Sequence, residues 1–591
     1  MIKGGEFLIK DQEAKDIFIP EDFSEDQLMM ASATKEFVEK ELDPHRERFE
    51  KKDYKLTEEC MKKAGELGLL GISVPIEYGG MGMPFNTSVL ICDRISGANG
   101  SFSTAFGAHT GIGTLPILLY GNQKQKEKYL PKLASGEWMG CYCLTEPGSG
   151  SDANSGKTKA VLSEDSKSYL ITGQKMWISN AGFADVFIVF ARIEDDKNIT
   201  AFILDKGIEG ITMGEEEHKL GLHSSSTRQV FFNEVKIPIE SMLGGRGNGF
   251  KIAMNALNVG RIKLSAAILD ACRRVISLST KYSNERIQFG VPIARFGAIK
   301  HKLADMAVRT YAIESATYRA GNDIEQNILR LESEGIDQQK AYLKGIEEYA
   351  VECSITKILG SETIQLCSDE GIQIYGGMGY SADTPMEAAY RDARISRIYE
   401  GTNEINRMLL VGMILKKAMK GELDIMTPAM KVATDLMSIP SFEKPDENIL
   451  FAVEKEYLRK LKKVILMTAG KAAQYYAMDI EKEQEVLMNL ANMIIDVYVT
   501  ESAILRTEKL AFKNERAEIS SQIIMSKLLL YQSMKNCNQS GEEVILSFAK
   551  GDERRMLLMG LKRFTKGYII NPKNLRRELA DKLIKENQYC F

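Results

Sequence analysis

The chain is 591 residues long yet has only nine cysteines and five histidines. The cysteines are scattered, with only Cys141 and Cys143 close together, which argues against a disulfide framework and for a reducing compartment. His45, His109, His218, His223 and His301 show no ligand-type spacing with cysteine, so no metal site is expected. Neither sign of charge is in excess. With 77 basic against 81 acidic residues the net charge is −4, and nothing draws the whole protein to nucleic acid or anionic lipid. We find no uninterrupted apolar run of bilayer-spanning length, and Met1 to Pro20 is too acidic and lacks the apolar stretch of a secretory signal. A cytoplasmic protein is expected, and the length suggests about three or four domains.

What is present falls into blocks. From Ser24 to 140 the spacing is helical, with Gly79 to Gly82 a turn and Thr104 to Leu119 a small-residue apolar stretch suited to close packing or a cavity wall. Between 141 and 245 the period changes. Tyr169 to Thr172, Val186 to Phe190, Ala201 to Leu204 and Val230 to Phe232 read as strands of a β-domain. Helical patterns return over 246–425, prolines 428, 440 and 445 mark a linker at 426–447, and helices resume over 448–591. There, Leu487, Leu490, Ala491, Ile494, Val497 and Tyr498 form a core-facing stripe. Residues 1–23 are set apart as an N-terminal segment.

Four constellations could carry chemistry. Tyr142 to Asp152 is rich in Gly and Ser beside a strand and offers donors to the polar edge of a cofactor. Within it, Ser151 to Thr158 imitates a phosphate-binding loop but has Ser151 where the first glycine is required, so nucleoside triphosphate binding is rejected. Lys175 to Asn180 places Trp177 beside Ser179, where a planar ligand could stack; a core tryptophan is the plain alternative. Glu285 to Gly290 offers Arg286 to a pyrophosphate and Phe289 to a ring face; the plain alternative is a basic helix end. Finally, Gln373 to Tyr380 and Arg394 to Ile405 surround Glu400, a carboxylate between an aromatic and a glycine just before a helix N-cap at Thr402. Partial desolvation there would raise its pKa toward that of a base for a weakly acidic C–H.

Taken together and in order, these segments resemble the acyl-CoA dehydrogenase family over Ser24 to Lys420. The very-long-chain branch is the nearest, because helical sequence continues past Lys420 to the C-terminus. The resemblance implies an α+β multidomain fold: an N-terminal helical domain, a middle β-domain, a helical bundle and a further C-terminal helical domain. It implies FAD lined by Tyr142, Leu144, Thr145, Gly150, Ser151, Trp177, Ile178 and Ser179, completed by Thr402, Asn403 and Glu404. Arg286, Phe289, Gln373, Gly376 and Gly377 would reach it from a partner subunit of a homodimer. Ser151, Asn258, Arg261, Tyr399 and Gly401 would lie on the acyl-CoA side. Some members carry the base at the position of Gly260, which has no carboxylate, so the role falls to Glu400.

The implied reaction is α,β-dehydrogenation of an acyl-CoA to a trans-2-enoyl-CoA in fatty acid β-oxidation. Glu400 takes the α proton, a hydride passes to flavin N5, and electrons go on to an electron-transfer flavoprotein. Ala105 and Ala108, where medium-chain relatives are bulkier or charged, lead to an expected long-chain preference. Two other readings stay open: an oxidase of the same fold that uses oxygen, and a non-catalytic scaffold. The basic C-terminal end, from Arg554 to Lys585, could hold the protein peripherally on the inner face of an anionic membrane; a solvated helix face is the plain alternative.

Overall fold

A strand can carry a run such as Val186-Phe187-Ile188-Val189-Phe190 only if both its faces are covered. The computed structural model, which describes residues 2–97, 99–437, 445–446 and 448–591, buries all five. One sheet is built from β1 (Gly140–Cys143), β2 (Lys159–Leu162), β3 (Ser168–Ser179), β4 (Val186–Ile193), β5 (Thr200–Asp205), β6 (Ile211–Glu216), β7 (Thr227–Pro238) and β8 (Met242–Leu243). Its order is β6-β7-β3-β2-β4-β5-β8, with β1 parallel to β4. Val186, Ile188 and Phe190 pack on helical residues Leu130, Ile252 and Ala253, while Phe187 and Val189 enter a core with Phe202, Val230 and Phe232. The four expected strands fall in β3, β4, β5 and β7.

Helices flank the sheet. Ahead of it in the chain lie α1 (Glu25–Phe37), started by a Ser24/Gln27 capping box, α2 (Tyr54–Glu66), α3 (Phe85–Ile95) and α4 (Gly100–Gly107). After it come α5 (Gly249–Ala266), α6 (Leu269–Glu285), α7 (Gly297–Ser333), α8 (Ala350–Tyr375), α9 (Met386–Arg394) and α10 (Asn403–Met419). The two sets share a core in which Phe37, Leu90 and Phe102 meet Val259, Ile262 and Ile313. The stretch Gly249–Glu285 contains an 18-residue window of mean hydropathy 1.2, long and apolar enough to cross a membrane. Of that window 72% is buried within the protein, so its apolarity is that of core helices.

The expected linker opens as a helix, α11 (Met426–Met437), because Ile425, Ala429 and Leu436 form an apolar face against the C-terminal core. Pro440 lies outside the described residues. That core is built by α12 (Ala452–Tyr476), α13 (Gln484–Leu510), α14 (Ser520–Phe548) and α15 (Gly551–Thr565), and the expected stripe on α13 is buried in it. The last helix, α16 (Pro572–Glu586), returns to α7, where Arg576 pairs with Asp305 at 2.6 Å and Lys300 with Asp581. Part of the basic C-terminal end is thus engaged with protein.

Residues 2–23 form a strap. Phe7 packs on Tyr498 with ring centroids 4.8 Å apart, and Ile17 and Ile19 pack on Leu505, Leu510 and Ile519. Beneath the strap runs a buried ion network. Arg506 of α13 bonds Glu21 at 2.6 Å and Glu314 of α7 at 2.7 Å, and Glu314 is shared with Arg273 of α6, which also bonds Asp93 of α3. Breaking one partner of such a network strands the others without compensation. Arg506→Met is expected to cost about 3–5 kcal/mol in urea unfolding and to make the strap the first site of proteolysis. Unchanged stability and cleavage would show that the network does not hold the domains together.

Candidate active site

Glu400 sits at a bend that the local sequence enforces. Its own φ is 59° and that of Gly401 is 81°, two successive left-handed residues, after which the Thr402 hydroxyl accepts from the Ile405 N–H at 3.2 Å and starts α10. The bend turns the carboxyl into a cavity of about 350 Å³. Its walls come from α3 (Cys92, Ile95), α4 and the wide helical turn after it (Thr104, Gly107, Ala108, Gly111), α5 (Gly260, Lys263, Leu264) and Tyr399.

Opposite the carboxyl stands Gly260. A Cβ placed there would meet Glu400 Oε2 at 2.6 Å, so only glycine leaves room for the carboxyl in this position. Oε2 is buried and has no hydrogen-bond partner among the described residues. Burial pushes the Glu400 carboxyl up to about 7, against the opposing pull of Arg261 and Lys357. The same carboxylate adds to the burial that raises the hydroxyls of Tyr142 and Tyr399.

The other expected residues divide into those at the cavity and those elsewhere. Tyr399 and Ser179 line it. Arg261 is buried and turned to the backbone: its Nε donates to the Glu400 carbonyl at 3.2 Å and its Nη1 to Asn258 Oδ1 at 2.8 Å. The Met176 N–H donates to the Thr145 carbonyl at 2.9 Å, which brings the Tyr142 and Trp177 segments side by side. A bulge in the β3/β7 register between Lys175 and Ile178, with Trp177 at φ 61°, turns the indole outward, 51% exposed. The core alternative for this tryptophan therefore fails. Leu144 is buried, as is Tyr142, whose hydroxyl has no partner among the described residues. Ser151 is exposed, and Gly148 and Gly150 face open space.

Three residues named above do not line the cavity. Ile178 is 1% exposed and packs in the sheet core, because the bulge sends alternate side chains inward. Asn403 is turned inward, bonded to Lys357, Ser361 and Glu362. Ala105 is absent from the cavity wall and packs in the helical core, its carbonyl accepting from Asn180 at 2.9 Å. Ala108 does line the cavity.

Arg286, Phe289, Gln373, Gly376 and Gly377 are exposed and do not line the cavity, with Phe289 94% exposed on the short hairpin after α6. The Tyr282 and Tyr375 rings, stacked at 4.0 Å, hold the ends of α6 and α8 together and so join these residues in one surface region. Glu404 is exposed at the start of α10, where hydrogen bonding to the helix N-terminal backbone keeps its carboxyl low.

Several residues escaped the sequence reading. Lys357 is buried on α8 and donates to the Gly401 carbonyl and Asn403 Oδ1, each at 2.8 Å. Asn406 Nδ2 reaches the carbonyls of Gly401 at 2.7 Å and Thr402 at 3.1 Å. Lys175 is buried and clamps the Thr145 segment, donating to the Leu144 carbonyl at 3.1 Å and to Glu146 at 2.6 Å. Lys263 is buried in the cavity wall with no partner for its Nζ among the described residues. Lys175, Lys263 and Lys357 each stand beside an apolar residue, and that was the available signal.

Comparison with known proteins agrees with this arrangement. Family models match at residues 24–137 (acyl-CoA dehydrogenase, N-terminal domain), 141–235 (middle domain), 247–415 (C-terminal domain) and 460–563 (a further acyl-CoA dehydrogenase C-terminal domain). A probable acyl-CoA dehydrogenase of Bacillus subtilis (strain 168) is 42% identical over 590 residues, which is 99% of this chain and 98% of that protein. The human mitochondrial very long-chain specific acyl-CoA dehydrogenase is 41% identical over 353 residues, 58% of this chain and 51% of that protein. The crystal structure of an acyl-CoA dehydrogenase complexed with FAD from Bacillus anthracis superposes with a TM-score of 0.96 at 41% identity, covering 100% of both chains. A buried carboxyl facing a glycine, set between a β-domain and two helical domains that each match in order, places this chain in the acyl-CoA dehydrogenase family.

Proposed function

We propose that the chain oxidises acyl-CoA thioesters to trans-2-enoyl-CoAs, with Glu400 as the base that removes the α proton. The observation that carries this is the unpartnered Glu400 Oε2, buried opposite Gly260 and poised near neutrality. A base whose pKa matches the working pH is ionised enough to act and basic enough to accept a C–H proton. Among the described residues the Glu400 N–H has no acceptor, so it can donate to the thioester carbonyl and stabilise the developing enolate charge.

The residues present suit FAD. An outward indole on a bulge, a buried tyrosine hydroxyl without a partner, and glycines facing open space are features that suit a flat, polar-edged group. Tyr142, Thr145, Trp177 and Ser179 would hold it. When bound, FAD supplies the acceptor for the β-carbon hydride. The surface region of Arg286, Phe289, Gln373, Gly376 and Gly377, away from the cavity, supports a homodimer in which it serves the partner's cofactor. An electron-transfer flavoprotein is the proposed acceptor, and rapid reoxidation of the reduced protein by air would favour the oxidase reading instead. Gly107, Ala108 and Gly111 leave the cavity wall thin, which supports a long-chain substrate.

Anaerobic mixing with saturated acyl-CoAs is expected to bleach the flavin band, and Glu400→Gln to slow bleaching by about 10²–10⁴-fold. A parent protein that binds FAD and bleaches with no acyl-CoA would sink the assignment. Because the ionised carboxylate is the active form, kcat/KM should rise with pH through about 7 and level off above it. Gly107→Phe, which adds a ring at the wall, should shift the best substrate to shorter acyl chains in the same assay, and an unchanged chain-length profile would refute the proposed path of the acyl tail.

A further inference from the structure

The Glu400 to Thr402 bend has an anchor at each carbonyl. Arg261 of α5 bonds the Glu400 carbonyl, Lys357 of α8 bonds that of Gly401, and Asn406 of α10 bonds those of Gly401 and Thr402. Two successive left-handed residues, one of them not glycine, hold their shape only when the surroundings over-determine it. Lys357 also ties the bend into a buried polar cluster on its own helix. Its Nζ bonds Asn403 Oδ1, which accepts from Ser361 Oγ at 3.2 Å, and Asn403 in turn donates to Glu362 at 3.1 Å.

We infer that Lys357 is a positioning residue for the reaction: its bonds to the Gly401 carbonyl and Asn403 lock the bend so that the Glu400 carboxyl and N–H both face the cavity. The inference rests on the proposed role of Glu400. The charged groups facing that carboxyl are Arg261 from α5 and Lys357 from α8; Tyr142 from β1 and the adjacent Tyr399 face it as neutral hydroxyls. Lys357 itself also feels Glu362 on its own helix and Glu404 on α10. Burial depresses the Lys357 amine to about 7 while Glu400 sustains its charge, so each ionisation supports the other.

The sign of the effect follows. A nearby cation favours the carboxylate, so removing it raises the pKa of Glu400 and moves the acid limb of the rate profile to higher pH. Removing the hydrogen bond loosens the bend, which lowers kcat without weakening acyl-CoA binding in proportion.

Lys357→Met and Lys357→Gln test both functions in the FAD-loaded protein. Lys357→Met is expected to lower kcat by about 10²-fold with KM changed by less than about threefold, and to move the acid limb up by about one pH unit. Lys357→Gln keeps a donor for the Gly401 carbonyl but no charge, so it should recover most of kcat and retain the shifted limb. An unshifted limb in both variants would overturn the inference, as would a Lys357→Gln no better than Lys357→Met. If Lys357→Met does not fold, the limb of Lys357→Gln decides the matter alone. A parent protein that fails to bleach with acyl-CoA would instead bring down the assignment of Glu400, which separates the two failures.

Discussion

Everything near the site answers to one constraint: a carboxyl has to sit inside the protein without becoming either a fixed anion or a permanently neutral acid. Desolvation alone would drive Glu400 far upward, and a direct salt bridge would pull it far down. The structure avoids both. Its cations, Arg261 and Lys357, bond to the backbone around Glu400 rather than to the carboxyl, so their fields reach it while Oε2 keeps no partner. The carboxyl therefore stays near 7, and its lone pairs stay available to a substrate proton.

That solution requires elements distant in the chain to agree in space. Gly260 on α5 supplies the room, Lys357 on α8 one anchor, and the cavity wall comes from α3 and α4, ahead of the sheet in the chain. Asp93, which follows the wall residue Cys92, is bonded to Arg273, then through Glu314 to Arg506 of the C-terminal domain and on to the strap at Glu21. The wall and the C-terminal domain thus share one buried charge network. Buried ions of this kind add little net stability compared with apolar packing, but they penalise any other docking of the parts severely.

How much of this was legible depended on whether the information was local. The N-cap at Thr402 and the setting of Glu400 were readable from adjacent residues. So was the buried stripe on α13. That Gly260 faces Glu400 came only from the structure, since no local pattern links the two. Trp177 was ambiguous because an indole in a strand satisfies a core as well as a surface, and the outcome turned on a bulge that leaves no mark in hydrophobic alternation. Ala105 and Ala108 were paired only through the resemblance, and they part because α4 gives way at Ala108 to a wider turn.

Lys357 shows why chemistry of this kind hides in sequence. In α8 it reads as one of several polar and charged residues in a long mixed helix, and such a residue is most simply assigned to the helix's wet edge. The helix has no wet edge there: Ile355, Thr356, Lys357 and Ile358 are all fully buried. Four successive buried residues span every face of a helix, so the fourth side must abut something polar enough to receive an ammonium. What it abuts is a strained bend whose Gly401 carbonyl and the neighbouring Asn403 Oδ1 both accept from its Nζ, so the burial of the amine and the shape of the bend support each other.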